Sequence, residues 1–148
     1  MQLRWSGART IAAPPERVWQ DLLDPDVVAT CAGADGKATP LAEGRYAVTC
    51  RIGVAFLKFP ITMEVTMYDL VPLTSGRMTV SGTGPGTGLE GRSAVRLEPI
   101  PSGGTTLVWE AETTVHGRLA EFGATLMEPL IRRMIDEFWD DFAHHPRP

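Results

Sequence analysis

The sequence predicts an α+β fold in which one antiparallel sheet is covered by a long C-terminal helix. Three observations predict it: a first strand leads into two short helices, the middle of the chain alternates apolar and polar residues, and a helical apolar period closes the chain. The chain has 148 residues, which is the size of one domain. Because it contains neither a linker nor an internal repeat, we expect residues 1–148 to form a single domain.

The first part of the chain predicts a strand and two short helices. Apolar and polar residues alternate from Met1 to Ala12, as in a half-buried strand. Pro14 and Pro15 predict a helix start, since proline in the first turn loses no backbone hydrogen bond there. The pair Asp24-Pro25 ends this helix, and a second short helix is expected from Asp26 to Cys31.

The middle of the chain, from Gly36 to Val115, predicts about six strands with one apolar face. Turns are expected at Pro72 to Gly76, Gly82 to Gly88 and Pro101 to Gly104. Methionines are frequent on the apolar face, and methionine-rich surfaces adapt to variable apolar ligands. The candidate ligand contacts on this face and on the first strand are Trp5, Tyr46, Val48, Met63, Val65, Met67, Met78, Val80 and Trp109.

One amphipathic helix is predicted from Arg118 to Phe142. Its apolar stripe consists of Leu119, Phe122, Leu126, Leu130, Met134, Phe138 and Phe142. We expect the stripe to face the sheet, which makes Phe122, Leu126, Leu130 and Met134 further candidate ligand contacts. Pro129 removes a backbone hydrogen bond and is expected to bend the helix near its middle. A bent helix seals a sheet less completely, so this residue favours a cavity.

Composition argues against several classes of function. The net charge of −4, without a cluster of Lys or Arg, argues against nucleic-acid binding. No apolar run reaches the roughly 18 residues of a transmembrane helix, and the N-terminus lacks a signal-peptide pattern. We therefore expect a cytoplasmic protein in which Cys31 and Cys50 are free thiols.

The residue types that usually catalyse reactions or bind metals are few in this chain and unfavourably placed. His116 falls on the polar face of its strand, and His144 and His145 lie in a polar tail. The carboxylates do not have the spacing of metal ligands, so we expect no metal and no cofactor. The segment from Gly86 to Gly91 matches the letters of a dinucleotide motif, but a strand rather than a helix follows it. Among the residues that the alternation places on the apolar face, Arg9 is the clearest charged one. Because an enzyme needs a general acid or base beside its substrate, we expect no catalytic residue on this face.

Motifs along the whole chain carry a family resemblance. They are Pro14 to Trp19, Leu23 to Asp26, Gly44 to Tyr46, Ile52 to Val54, Gly82 to Gly84, and most specifically Thr105 to Trp109 leading into His116 to Gly123. On these motifs the chain resembles the G-subunit family of carbon monoxide dehydrogenase, within the START-like (polyketide cyclase/Bet v 1-like) superfamily. The resemblance implies a helix-grip fold, in which a curved seven-stranded sheet wraps around the C-terminal helix and leaves an apolar cavity.

The resemblance also implies an accessory role beside a molybdenum-containing hydroxylase, with quinone or membrane recruitment. Members that anchor to membranes carry an apolar C-terminal segment, and none follows the helix here, so we expect no stable membrane anchor. Many members have a Cys-apolar-Pro-Gly sequence after the second helix, where this chain has Thr30-Cys31-Ala32-Gly33. The role of that motif is therefore not carried over, although Cys31 stays a candidate ligand contact.

Three hypotheses follow for the function. The leading one is binding of a quinone-like or lipid-like molecule in the cavity, as an accessory protein to a molybdenum hydroxylase of the CO dehydrogenase type. The alternative is a polyketide cyclase or dehydratase, which would need polar residues inside the cavity, where the alternation places few. A third is a protein-interaction module whose pocket is vestigial. The fold alone does not decide among them.

Overall fold

The structure, a computed structural model, describes residues 1–33, 38–54 and 56–147. Its strands are β1 (Gln2–Ile11), β2 (Thr39–Ala42), β3 (Arg45–Val54), β4 (Leu57–Val71), β5 (Ser75–Gly84), β6 (Thr87–Pro99) and β7 (Thr105–Gly117). Its helices are α1 (Pro15–Leu22), α2 (Pro25–Cys31) and α3 (Ala124–Ala143), and a 3-10 turn lies at Ala120–Phe122. All strand pairs are antiparallel, in the order β1-β7-β6-β5-β4-β3-β2. The predicted α+β helix-grip fold is confirmed.

The two short helices begin as the prolines predict. Pro15 and Pro25 occupy first-turn positions, so α2 starts one residue before the expected Asp26. The side chain of Asp24 caps α2 by accepting a 3.0 Å hydrogen bond from the backbone N–H of Asp26. The turn predicted from Gly82 to Gly88 is narrower than expected, because β5 and β6 remain paired up to Gly84 and Thr87.

The C-terminal helix differs from its prediction at its start. We expected it from Arg118, but α3 begins at Ala124, directly after Gly123, whose φ of 81° lies outside helical space. The preceding segment is tied to the sheet instead. Arg118 N–H donates to the Gly86 carbonyl at 2.9 Å, and Leu119 N–H donates to Thr87 Oγ1 at 3.3 Å. The helix continues through Pro129, which lies in its second turn rather than at its middle.

The two ends of the sheet are closed by separate cores. At the hairpin end, where β3 meets β4 and β5 meets β6, the core joins sheet, 3-10 turn and α3; its members include Ile61, Val115, Leu119, Met127 and Ile131. At the α1 end, where β1 leads into α1, it joins the sheet to α1 and to the last turns of α3; its members include Ile11, Val18, Leu107, Trp139 and Phe142. A third core lies under α2 and contains Val28, Ala29, Tyr46, Val48 and Val65.

Two ion-pair clamps hold the second half of α3 in place. Arg9 of β1 contacts Asp140 at 3.0 Å and Asp136 at 3.5 Å. Arg147 reaches back to the buried carboxylate of Asp21 at 2.7 Å and donates to the Phe142 carbonyl at 2.8 Å. The position of α3 relative to the sheet is therefore fixed by contacts between distant parts of the chain.

Candidate ligand-binding interior

The middle of the inner face, where the three cores meet, is less completely buried than its two ends. Trp5 and Ile135 each contact both the hairpin-end and the α1-end core, Met63 joins the hairpin-end core to the α2 core, and Phe138 joins the α1-end core to the α2 core. All four are only partly buried. Toward the ends of the same inner face, Ile61 and Leu107 have 0% exposure. We call the space bordered by these four residues the interior gap.

The floor of the interior gap consists of small side chains on neighbouring strands. Gly91 of β6 lies opposite Thr113 of β7 and Val80 of β5. One step along, Ser93 lies opposite Ala111 and Met78. Small residues at adjacent inward positions leave volume that larger side chains would otherwise fill. Gly91, Ser93 and Ala111 therefore leave room on this part of the inner face.

Two inward glycines show the difference between the floor and the packed end. A Cβ added at Gly91 would meet its nearest atoms, in Glu112, Thr113 and Val80, at 3.6–3.9 Å, which is ordinary contact. A Cβ added at Gly82, toward the hairpin end, would lie 2.9 Å from Leu89 Cγ. The floor can accept added atoms, whereas the hairpin-end core cannot.

Three polar atoms on the inner face lack hydrogen-bond partners among the described residues. They are Nε1 of Trp5, Nε1 of Trp109 and Oη of Tyr46, all buried. Burial, followed by the nearby Asp24 carboxylate, raises the pKa of Tyr46 to about 12, so its phenol is neutral at pH 7. An unpaired buried donor costs about 1–3 kcal/mol. Each of these groups is a hydrogen-bond donor without an acceptor among the described residues.

Trp109 is held in place by its neighbours. Gly7 lies opposite it on β1, and a Cβ at that position would come within 2.9 Å of the indole ring. On its other side the ring stacks on Trp139 of α3, with centroids 6.0 Å apart and an interplanar angle of 27°. Glycine at position 7 is therefore required for the indole to lie flat between β1 and α3.

Apart from Leu126, the predicted ligand contacts fall into two groups by burial. Those on the inner face that keep partial exposure are Trp5, Met63, Met67, Met78 and Val80, with Phe122, Leu130 and Met134 from the segment around α3. Those buried within packed cores are Cys31, Tyr46, Val48, Val65 and Trp109. Burial, then the Asp141 carboxylate, raises the pKa of the Cys31 thiol to about 11, with Arg147 acting in the opposite direction. That any of these residues contacts a ligand stays a prediction.

The predicted orientation of Leu126 is wrong. Its side chain is 47% exposed, whereas the adjacent Met127 is fully buried. The cause is the late start of α3. Leu119 and Phe122 lie before the helix, and the buried face of α3 follows Met127, Ile131 and Trp139. The side chains of consecutive helical residues point about 100° apart. Because Met127 faces the sheet, the side chain of Leu126 points away from it.

Sequence reasoning missed two parts of this arrangement. The alternation along β6 and β7 places Ser93 and Ala111 on the inner face, and small residues at such adjacent inward positions are a signal from which the floor could have been found. The Arg147–Asp21 contact, which fixes the end of α3, had no such signal because Arg147 lies in a polar tail.

Two grooves on the outer face of the sheet are less suited to an apolar ligand than the interior gap. They have volumes of about 510 and 430 Å³ and are lined mainly by outward-facing polar and charged residues, such as Arg77 and Glu110 in one and Glu64 and Arg92 in the other. Their charged walls are typical of a solvated sheet surface, and an apolar ligand would gain little there.

His116 and the glycine-rich segment lie as the sequence predicts. His116 is exposed, and the segment from Gly86 to Gly91 forms a turn followed by strand β6. Cys31 and Cys50 are both buried. Within residues 1–33, 38–54 and 56–147, no group of three or more His, Cys, Asp or Glu could hold a metal ion. In the same part of the chain, no helix is both long and apolar enough to cross a membrane.

Comparison with known protein families identifies the family of this chain. The profile of the CoxG family, which is the G-subunit family of carbon monoxide dehydrogenase, matches residues 7–145, nearly the whole chain. The chain belongs to the CoxG family. The family resemblance seen in the sequence is thereby confirmed. No curated protein matches the chain.

Solved structures support the fold of this CoxG-family chain. A conserved protein from Geobacillus kaustophilus superposes with a TM-score of 0.86 at 22% identity, covering 96% of this chain and 93% of that one. A protein from Chromobacterium violaceum gives 0.70 at 18% identity, covering 98% of both chains. The Zhui aromatase/cyclase from a Streptomyces species gives 0.71 at 16% identity, covering 97% and 93%. At these identities the similarity establishes the fold alone.

Proposed function

We propose that the interior gap binds an apolar small molecule of the quinone or lipid class, and that the protein serves as an accessory to a molybdenum hydroxylase of the CO dehydrogenase type. The observation that carries the binding proposal is the partial exposure of the middle of the inner face between two closed ends. The description of the CoxG family, which names carbon monoxide dehydrogenase, supports the redox partner.

The lining of the interior gap suits such a molecule. Met63, Met67, Met78 and Val80 offer apolar surface on one side, and burial of apolar surface contributes about 25 cal/mol per Å². Thioether side chains adapt their shape, so ligands of variable width can be accommodated. A ligand of this class therefore gains its affinity from burial rather than from charge.

The polar atoms of the inner face favour an acceptor on the ligand. An indole N–H can only donate, and a phenol whose pKa is about 12 is a donor at neutral pH. A quinone carries carbonyl acceptors and no donor, which complements this set. Trp5 is the best placed of the three donors, since it also borders the interior gap.

A cyclase would need a group that removes a proton from its substrate. Tyr46 keeps its proton at neutral pH, and the inward Arg9 is engaged with Asp136 and Asp140 of α3. The described inner face therefore supports binding better than catalysis. The aromatase/cyclase among the similar structures shares the fold, which many different functions use.

Tryptophan fluorescence tests the proposal directly. Titration with a short-chain quinone should quench the emission of Trp5 in a saturable way. Gly91→Leu, which fills the floor of the gap, should weaken this binding about tenfold or more, since the ligand loses the volume it needs. Ala94→Leu on the outer face of the same strand is the matched control and should leave binding unchanged.

Two outcomes would contradict the proposal separately. Quenching that does not saturate, or that is equal for Gly91→Leu and Ala94→Leu, would refute binding in the gap. Saturable binding without association with a molybdenum hydroxylase in a pull-down would refute only the accessory role.

A further inference from the structure

Two buried indole N–H groups lie close together on the inner face of the sheet. In the register of β1 with β7, Trp109 lies opposite Gly7, and Trp5 lies two residues before Gly7 on the same face. Trp5 and Trp109 are therefore diagonal neighbours, about 7–8 Å apart and within reach of each other's rings. Nε1 of each indole is buried and lacks a hydrogen-bond partner among the described residues. We call Trp5 and Trp109 the indole pair.

The N–H edge of Trp109 is turned toward β1. A Cβ added at Gly7 would lie 3.1 Å from Nε1 of Trp109, so this edge of the indole covers the glycine. The ring also stacks on Trp139, which restricts its rotation. Because Trp5 stands on the same face of β1, both N–H groups belong to one small region of the interior.

The part of the described inner face beside the indole pair is apolar. The inward neighbours of the two indoles on the sheet are Gly7, Val95 and Ala111. Thr113 is the next inward residue of β7 after Ala111, but its hydroxyl points toward β6, where it would lie 3.9 Å from a Cβ added at Gly91. Within the described residues, the two donors therefore have no acceptor to share.

We infer that the indole pair binds one carbonyl oxygen of the ligand, and that the interior gap therefore holds the oxidised, carbonyl-bearing form of this ligand in preference to its reduced, hydroxyl-bearing form. The inference rests on the binding of a quinone-class molecule proposed above. A carbonyl oxygen has two lone pairs and accepts from both indoles at once. A hydroxyl brings a donor of its own, which finds no acceptor side chain between the indoles and is costly to bury unpaired.

The same region suits a neutral head rather than a carboxylate. A buried carboxylate needs a cation beside it. The inward cation of β1 is Arg9, and its guanidinium already contacts Asp136 at 3.5 Å and Asp140 at 3.0 Å. A fatty-acid head would compete with these two carboxylates for one guanidinium. The indole pair therefore favours a neutral carbonyl over an acid.

A row of inward positions offers room for the rest of such a ligand. Starting from Trp5, the adjacent positions on β7, β6, β5 and β4 are Ala111, Ser93, Met78 and Met67, and all five residues are only partly buried. With about 4.8 Å between strands, this row is about 19 Å long. Its middle has small side chains, and its far end has two adaptable thioethers. A molecule with a carbonyl at one end and an apolar body fits this arrangement.

Equilibrium dialysis with one ligand in two redox states tests the inference. Duroquinone and its hydroquinone, measured under argon, differ at the oxygen atoms but hardly in size. The wild-type protein should bind duroquinone about tenfold more tightly than the hydroquinone, or by a larger factor. Trp5→Phe and Trp109→Phe keep an aromatic ring and remove the N–H. Each should weaken duroquinone binding about tenfold and hydroquinone binding much less, so that the ratio of the two affinities falls.

Two further variants supply the controls. Trp19→Phe makes the same substitution in α1, outside the interior gap, and should leave both affinities unchanged. Met78→Ala removes apolar surface from the far end of the row. It should weaken the binding of both redox forms by the same factor and leave their ratio unchanged. Thermal melts check that each variant folds.

Infrared spectra of the wild-type complex give a second test that does not depend on the folding of Trp109→Phe. Duroquinone is symmetric, so its two carbonyl groups are equivalent in solution. If one of them accepts hydrogen bonds from the indole pair, the isotope-edited spectrum of the complex should show two carbonyl bands, one of them at lower frequency. Trp5→Phe should bring the two bands closer together.

The possible failures are distinguishable. Equal wild-type affinities for the two redox forms, an unchanged ratio in Trp5→Phe or a single carbonyl band would overturn the inference and leave ligand binding in the interior gap intact. Absence of saturable binding of either form would overturn the proposed function, and the inference would fail with it.

Discussion

Alanine substitution of two inward glycines should change stability in opposite directions. At Gly91 an added methyl group meets neighbours at 3.6–3.9 Å, and the backbone does not adopt a left-handed φ, so no strain is introduced. Replacing glycine then removes freedom from the unfolded chain and raises the unfolding free energy by about 0.4–1 kcal/mol. For a chain of this size, that corresponds to a rise of roughly 1–4 °C in melting temperature.

Gly82 is the matched position in the hairpin-end core. A methyl group there would lie 2.9 Å from Leu89 Cγ and 3.1 Å from Ile61 Cγ2, both in packed surroundings. Overpacking of this kind costs about 1–3 kcal/mol, which exceeds the entropic gain. Gly82→Ala should therefore melt several degrees below the wild type.

Thermal unfolding followed by circular dichroism compares both variants with the wild type in one buffer. The difference in sign between Gly91→Ala and Gly82→Ala is the decisive quantity, because the two substitutions are chemically identical. If Gly91→Ala destabilises the protein as much as Gly82→Ala, the floor is packed and the interior gap does not exist in solution. A substitution at Leu126 could not make this distinction, since its side chain is 47% exposed.

Three further outcomes are expected. Cys31, whose thiol pKa is raised to about 11 by burial, should react with a thiol reagent at pH 8 far more slowly in the folded protein than in denaturant; equal rates would contradict its burial. Burial raises the pKa of Tyr46 from 10.0 to about 12, so the folded state keeps the phenol proton up to a higher pH than the unfolded state does. The stability that is present below pH 10 is therefore lost as the pH rises through 12. This loss amounts to about 3 kcal/mol when complete, and Tyr46→Phe, measured in denaturant titrations across that range, should lack it. Among the described residues, Arg147→Ala leaves the buried Asp21 carboxylate with the 3.5 Å contact to Arg17 alone, and it should lower the unfolding free energy by about 3–5 kcal/mol. Arg133→Ala on the exposed face of α3 should change the unfolding free energy by less than about 1 kcal/mol.

The sheet could be predicted from the sequence because burial in a strand repeats every second residue. In β3 the residues Tyr46, Val48, Cys50 and Ile52 are all buried, as the alternation indicated. The start of α3 could not be predicted in the same way. Leu119 fits the helical apolar period, but hydrogen bonds from the segment before α3 to the β5–β6 turn hold it outside the helix. A periodic pattern reports which side of an element is apolar, not where a long-range contact ends the element.

The interior gap was harder to predict than the sheet for a related reason. Alternation places Ser93 and Ala111 on the inner face but does not give their distance from the helix opposite. That distance depends on where α3 is held, and the clamps that hold it join Arg9 to Asp140 and Arg147 to Asp21, residues 131 and 126 positions apart in the sequence. The expectation of a cavity therefore came from the family resemblance and from Pro129, while the residues that form its floor required the structure.

The small side chains of the floor and the unpaired polar atoms are best explained together. Glycine at position 91 is expected to lower stability relative to alanine, and the buried indole N–H of Trp5 lacks a partner among the described residues. If the interior gap were only a packing defect, these would be two separate losses on one face of the sheet, each removable by a single substitution. A ligand that fills the space above Gly91 and accepts a hydrogen bond from Trp5 offsets both losses at once. Residues that lower stability in the free protein but gain contacts on binding are typical of a binding site, where function opposes maximal stability.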